Sequence, residues 1–136
     1  MSKGNTTEGE LVAFIFRGTS VPWSANGNFY VALHTADPGE GGNQTTSEAA
    51  YTGYARVAVS RDAGGWALSG NQASNAAEVT FPECTGGTET LTHFSIGLAA
   101  TSTSQIIYKG ALTDSLAISN LITPRFPVGT LVVTED

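Results

Sequence analysis

Residues 29–60 read FYVALHTADPGEGGNQTTSEAAYTGYARVAVS. Two short apolar runs, FYVALHT and YARVAVS, flank a polar connection. Both are rich in Val, Tyr and Phe and are bounded by turn residues, the pattern of strands. In the first, Val31, Leu33 and Thr35 share one face of an extended chain, and Tyr30, Ala32 and His34 share the other. In the second, Ala55, Val57 and Val59 oppose Tyr54, Arg56, Ala58 and Ser60. Between the runs, Asp37-Pro38-Gly39 and Gly41-Gly42 break any regular element. The connection over 36–51 is too long for a hairpin turn. A surface loop of that length is either mobile or gripping something.

Working outward, the other segments repeat the strand pattern. AEVTF at 77–81 sets Ala77, Val79 and Phe81 on one face, and Pro82 ends it. LTHFSIGLAA at 91–100 alternates Phe94, Ile96, Leu98 and Ala100 against His93, Ser95, Gly97 and Ala99. Residues 100–104 form a polar hairpin tip. QIIYKGAL at 105–112 aligns Ile106, Tyr108, Gly110 and Leu112; LAIS at 116–119 is a shorter piece. Asp62 to Gly65 and Thr85 to Thr88 are turns, with Trp66 opening a further extended stretch. Pro124 and Pro127 remove backbone donors, so no regular pairing is expected between them. GTLVVT at 129–134 is the last strand. Val31, Leu33, Val57, Val59, Phe94, Ile96 and Leu98 are the predicted common core.

The start differs. Residues 1–6 read as an extended polar arm. Thr7-Glu8-Gly9-Glu10 fits a capping box, followed by LVAFIFRG at 11–18, with Leu11, Phe14, Ile15 and Gly18 on one helical face. Gly18 supplies a left-handed stop. So short a helix needs a docking surface, and its apolar girth predicts burial on more than one side. Residues 19–28 form a loop in which Trp23 is either a core anchor or a partner contact. The expected architecture is therefore all-β: a single β-sandwich domain over 1–136 with jelly-roll connections. It comprises an arm at 1–6, a helix at 7–18 and strands over 29–136.

Composition narrows the function classes. Hydrophobic residues make up 40% and charged residues only 13%, about half the usual quarter. The surface must then be carried by Ser, Thr, Asn, Gln and Gly, which suits a large static assembly. Net charge is −6, and the six Lys and Arg are scattered, so the basic patch of a nucleic-acid binder is missing. No apolar run approaches the ~20 residues of a membrane helix, and the start lacks the apolar core of a secretory signal. Synthesis in a host cytoplasm is expected, and the sequons at Asn5 and Asn43 are read as chance. The single Cys84 cannot make an internal disulfide or a cysteine-based zinc site, and reads as a small buried side chain.

The search for chemistry ends without a candidate. His34 with Asp37, and His93, fall short of the three or four ligands of a zinc site, so both histidines are expected on solvent-side faces. There is no Gly-x-Ser-x-Gly elbow, phosphate loop, dinucleotide fingerprint or His-Glu-x-x-His motif. The expectation is a non-enzymatic protein with no cofactor and no metal.

The order of pieces resembles a family of small, tail-fibre-like bacteriophage virion proteins. The matching strings are RGT at 17–19, YVALHTADPG at 30–39, YARV at 54–57, THFSI at 92–96, YKGAL at 108–112 and GTLV at 129–132. The resemblance runs from Leu11 through nearly all of the chain and implies a structural virion protein without catalytic residues. Two roles fit. The first is a capsid cement or decoration protein on the outer capsid surface, a dimer or trimer bound to the major capsid protein. The alternative is a tail module binding a host receptor or glycan. Acidity, the lack of fibrous or heptad repeats, and polar termini that need a neighbouring subunit to order them favour cement. Lys3, Asn5, Phe16 and Trp23 are the expected partner contacts; nucleic acid and membrane are not expected partners.

Overall fold

The computed structural model describes residues 1–136. In chain order the elements are β1 (Ser2–Lys3), α1 (Asn5–Arg17), β2 (Asn28–His34), β3 (Val57–Ser60), β4 (Trp66–Ser69), β5 (Gln72–Asn75), β6 (Val79–Thr80), β7 (Glu89–Gly97), β8 (Ile106–Ile118), β9 (Arg125–Phe126) and β10 (Val132–Thr134). The five-stranded sheet runs β1-β8-β7-β2-β3, and every pair is antiparallel. Across its inner face lie a three-stranded sheet, β10-β5-β4, and the β6-β9 pair. The expected all-β sandwich with one short helix is present; jelly-roll connectivity is not established by these pairings. No helix is long and apolar enough to cross a membrane.

The core follows the predicted alternation. Val31, Leu33, Val59, Phe94 and Ile96 belong to a buried cluster of 14 residues, with Val57 packed on its edge. Leu98 is the exception: β7 stops at Gly97, and Leu98 lies half-buried outside the cluster. Phe81 and Phe94 meet Phe126 edge to face, with ring centroids 6.3 and 6.1 Å apart. Register shifts correct the simple pattern of β8. Ile96 pairs with Tyr108 but Gly97 pairs with Ile106, so one extra residue, Ile107, is accommodated. This bulge turns Ile106 away from the core face that Tyr108 and Leu112 share. A second irregularity between Leu91 and His93 lets Leu91 and Phe94 both enter the core.

Three other expectations are revised. The hairpin β4–β5 includes the polar strand QASN, held by pairing on both sides: Ala73 faces Leu68 in β4 and Val133 in β10. Between the two prolines, Arg125 and Phe126 pair with Thr80 and Val79, because the two-residue ladder draws on backbone groups that neither proline removes. The helix begins at Asn5 with Gly4 at its N-cap and no side-chain cap. The capping box does not form, because the Thr7 hydroxyl donates to the Ile106 carbonyl at 2.7 Å. Gly18 does end the helix left-handed at φ 65°, its N–H bonding back to Phe14.

The polar arm is ordered by its own domain. Ser2 and Lys3 pair with Lys109 and Tyr108 at the edge of the large sheet. Lys3 Nζ lies 2.6 Å from Glu135 and 5.6 Å from the centroid of the Tyr108 ring.

Candidate functional site

Three regions depart from an ordinary sandwich surface: the long connection at 36–51, the end of α1, and a groove between the sheets. The connection closes over the outer face of the large sheet, so β2 is buried on both sides from Val31 to His34. The Gln44 side chain is fully buried above Gly97, where any Cβ would strike its amide and the Gln105 carbonyl. Gln44 Nε2 donates to the Tyr30 carbonyl at 2.9 Å and to Ser95 Oγ at 3.2 Å.

His34 is part of the same closure. Its Nδ1 lies 2.8 Å from the Thr46 carbonyl and its Nε2 lies 2.7 Å from Ser95 Oγ. A carbonyl only accepts, so Nδ1 carries the proton and Nε2 accepts from Ser95. Burial pushes the His34 pKa below its ordinary value, favouring this neutral form. The solvent-side placement expected for His34 is therefore corrected: the loop that follows it folds back as its lid. His93, its cross-strand neighbour, is half-buried and bonds Thr92 Oγ1.

One buried ion pair fastens the loop. Arg56 forks onto Glu48 through Nε at 2.7 Å and Nη2 at 2.9 Å, and donates further to the carbonyls of Ala99 and Ser102. Tyr54 OH donates to Glu48 at 2.7 Å; burial and that carboxylate push its pKa well up. Burial likewise pushes Tyr51 up to about 12. The loop grips its own sheet.

The end of α1 behaves oppositely. Its first turns are held: Thr7 is buried, and Glu10 accepts from Trp23 Nε1 at 2.6 Å and from Gln105 Nε2 at 2.7 Å. Beyond them Val12, Phe14, Ile15 and Phe16 are 52–80% exposed. The expected burial of the helix on several sides does not occur, because no strand of this chain reaches its last turns.

The groove, about 730 Å³, opens on the inner face of the large sheet beside β4 and β5. Its lining is mostly apolar: Phe29, Ile96 and Tyr108 form one wall, and Trp66, Leu68 and Ala73 the other. Arg61 and Asp62 stand at its polar margin. The Arg61 guanidinium lies 4.6 Å from the centroid of the Phe29 ring and donates to the carbonyls of Trp23 and Asn26, both at 2.8 Å. Hydrogen bonds from Ser60 and the Gly64 N–H hold the Asp62 carboxyl below its usual range. Trp66 Nε1 is buried with no acceptor. Sequence reading missed the groove because six strands and the turn at 61–63 together build it.

The four predicted contacts are not brought together. Lys3 is spent on Glu135 and Tyr108. Asn5 opens the helix, its N–H on the Glu40 carbonyl at 2.9 Å. Trp23 is a half-buried anchor, edge-on to Phe29. Phe16 alone stands free, at the tip of the exposed helix. Cys84 is fully buried, as expected. No group of three His, Cys, Asp or Glu side chains converges on a point that would hold a metal.

No curated protein matches the chain. The family described as podophage GP4 fiber I protein gp80 matches residues 2–134, from β1 to the end of β10. Because that match takes in every strand and the helix, the chain belongs to this family of phage fibre proteins and is a structural protein of a bacteriophage virion.

Proposed function

We propose that the chain is a fibre subunit on the tail side of the particle, working by binding rather than catalysis. The family match over residues 2–134 carries this reading, since the family's description is that of a fibre protein. The structure supports the binding half of it. The helix end and the groove are both apolar and open, and contiguous exposed apolar surface marks an interaction site. Both histidines are occupied by structural hydrogen bonds, which suits a scaffold more than a hydrolase.

Acidity, the absence of repeats and polar termini in need of a neighbour favour the other reading, a capsid cement role bound to the major capsid protein on the outer shell. The ordered arm weakens it, since Ser2 and Lys3 add their edge strand to their own domain and need no neighbour. Partners in the tail reading are other copies of the chain and a further virion protein, with neither nucleic acid nor membrane involved.

Labelled antibody on purified particles, combined with stained-gel copy number, decides between the two. Label confined to the tail, with tens of copies or fewer, is the expected result. Label spread over the shell, with hundreds of copies, would return the chain to the capsid surface.

A further inference from the structure

We propose that the exposed end of α1 from one copy docks into the apolar groove of a second copy, head to tail. The contact stands whether the assembly sits on the tail or on the shell. The chain carries a plug and a socket that it leaves unmatched in itself. Val12, Ile15 and Phe16, at 57%, 67% and 80% exposure, have the i, i+3, i+4 spacing by which a helix anchors in a groove. The groove offers Phe29, Trp66, Ala73 and Tyr108, with Leu68 80% exposed at its lip.

Charge favours a second copy as occupant. Lys3, Arg56 and Lys109 are in ion pairs and Arg61 is spent on carbonyls, whereas Arg17 and Arg125 make no ion pair, and of these two Arg17 is the one on the helix end. Asp62, next to Arg61 at the groove margin, is a carboxylate held by neutral donors and makes no ion pair. Laying Phe16 into the groove carries Arg17, one residue further, to that margin. The plug and the socket are different surfaces, so the contact is heterologous and closes into a ring when the rotation allows. Each subunit in the ring uses both surfaces.

The test is complementation of full-length variants, read by light scattering. Ile15→Asp with Phe16→Asp removes the plug. Ala67→Glu with Leu68→Asp spoils the socket at exposed positions. Wild type is expected as a multimer, each variant alone as a monomer of 14.1 kDa, and an equal mixture as a dimer, because one good plug still meets one good socket. A monomeric wild type, a socket variant that still self-assembles through paired helices, or a mixture that stays monomeric would each overturn the proposal. Should a variant fail to fold, Phe16→Cys and Leu68→Cys are mixed instead. A disulfide between the two species is expected, with buried Cys84 silent, and its absence under oxidation counts equally against the contact.

Discussion

The connection at 36–51 and the helix end at 12–17 reverse the usual rule of hydropathy. The connection is polar and glycine-rich, yet Gln44 and His34 within its closure are fully buried. The helix end is among the most apolar stretches of the chain, yet it projects into solvent. The difference lies in where the partners are. The loop's polar groups find most of theirs inside the domain: Tyr30 and Ser95 accept from the Gln44 amide nitrogen, Thr46 and Ser95 hold the His34 ring, and Arg56 pairs with Glu48, while Gln44 Oε1 is left without a partner. A buried polar group that keeps its hydrogen bonds costs little to bury. The helix's apolar side chains have no counterpart in their own chain, so the same physics leaves them for another.

The comparison breaks most forcefully at Arg56. Its side chain is 2% exposed, and Arg56→Ala strands Glu48 in the lid. The expected loss is about 3–5 kcal/mol by chemical denaturation, with new proteolytic cutting inside 36–51. A loss below about 1 kcal/mol would mean that the loop is held by something other than this ion pair. Next comes Gly97→Ala, whose methyl group meets the Gln105 carbonyl at 2.7 Å and the Gln44 amide. Lifting the lid to make room should cost about 1–3 kcal/mol.

A smaller effect comes from His34, where burial depresses the folded-state pKa. Below the unfolded value of about 6.5, the unfolded chain takes up a proton that the folded chain refuses. Stability therefore falls as pH drops from about 7 toward the folded pKa. The thermal midpoint of wild type should fall more steeply over that range than that of His34→Gln, which cannot titrate. Parallel slopes would take His34 out of the pH response. Last, Ile15→Asp with Phe16→Asp should change monomer stability by no more than about 0.5 kcal/mol per site, since both side chains are already in water. A large loss would show that the helix end is packed after all.

What the sequence disclosed and what it withheld follow the same division. Strands β2 and β7 were legible because alternation reports which face is buried, and Gly18 because a left-handed stop suits glycine. The QASN strand was not, since its place comes from two neighbouring ladders rather than its own composition. Thr7 satisfied a capping pattern locally but was drawn to Ile106 by a contact 99 residues away in sequence. The closure of the loop hung on Gln44 meeting Gly97, a pairing that no local window contains. The groove likewise belongs to tertiary structure. The apolar run of α1 was plain in the sequence, but composition alone does not say whether the surface it needs lies in its own chain.

Native-state hydrogen exchange on the dilute protein tests the account most directly. The amides of Thr35, Gln44 and Ala49 bond to Ser47, Ser104 and Leu33 carbonyls at 2.8–2.9 Å beneath or within the closed loop. They should exchange slowly, close to global unfolding, while the last turn of α1 exchanges through local fraying and gains protection as concentration rises. Fast exchange at Gln44 and Ala49, together with slow, concentration-independent exchange at Phe16 and Arg17, would contradict it.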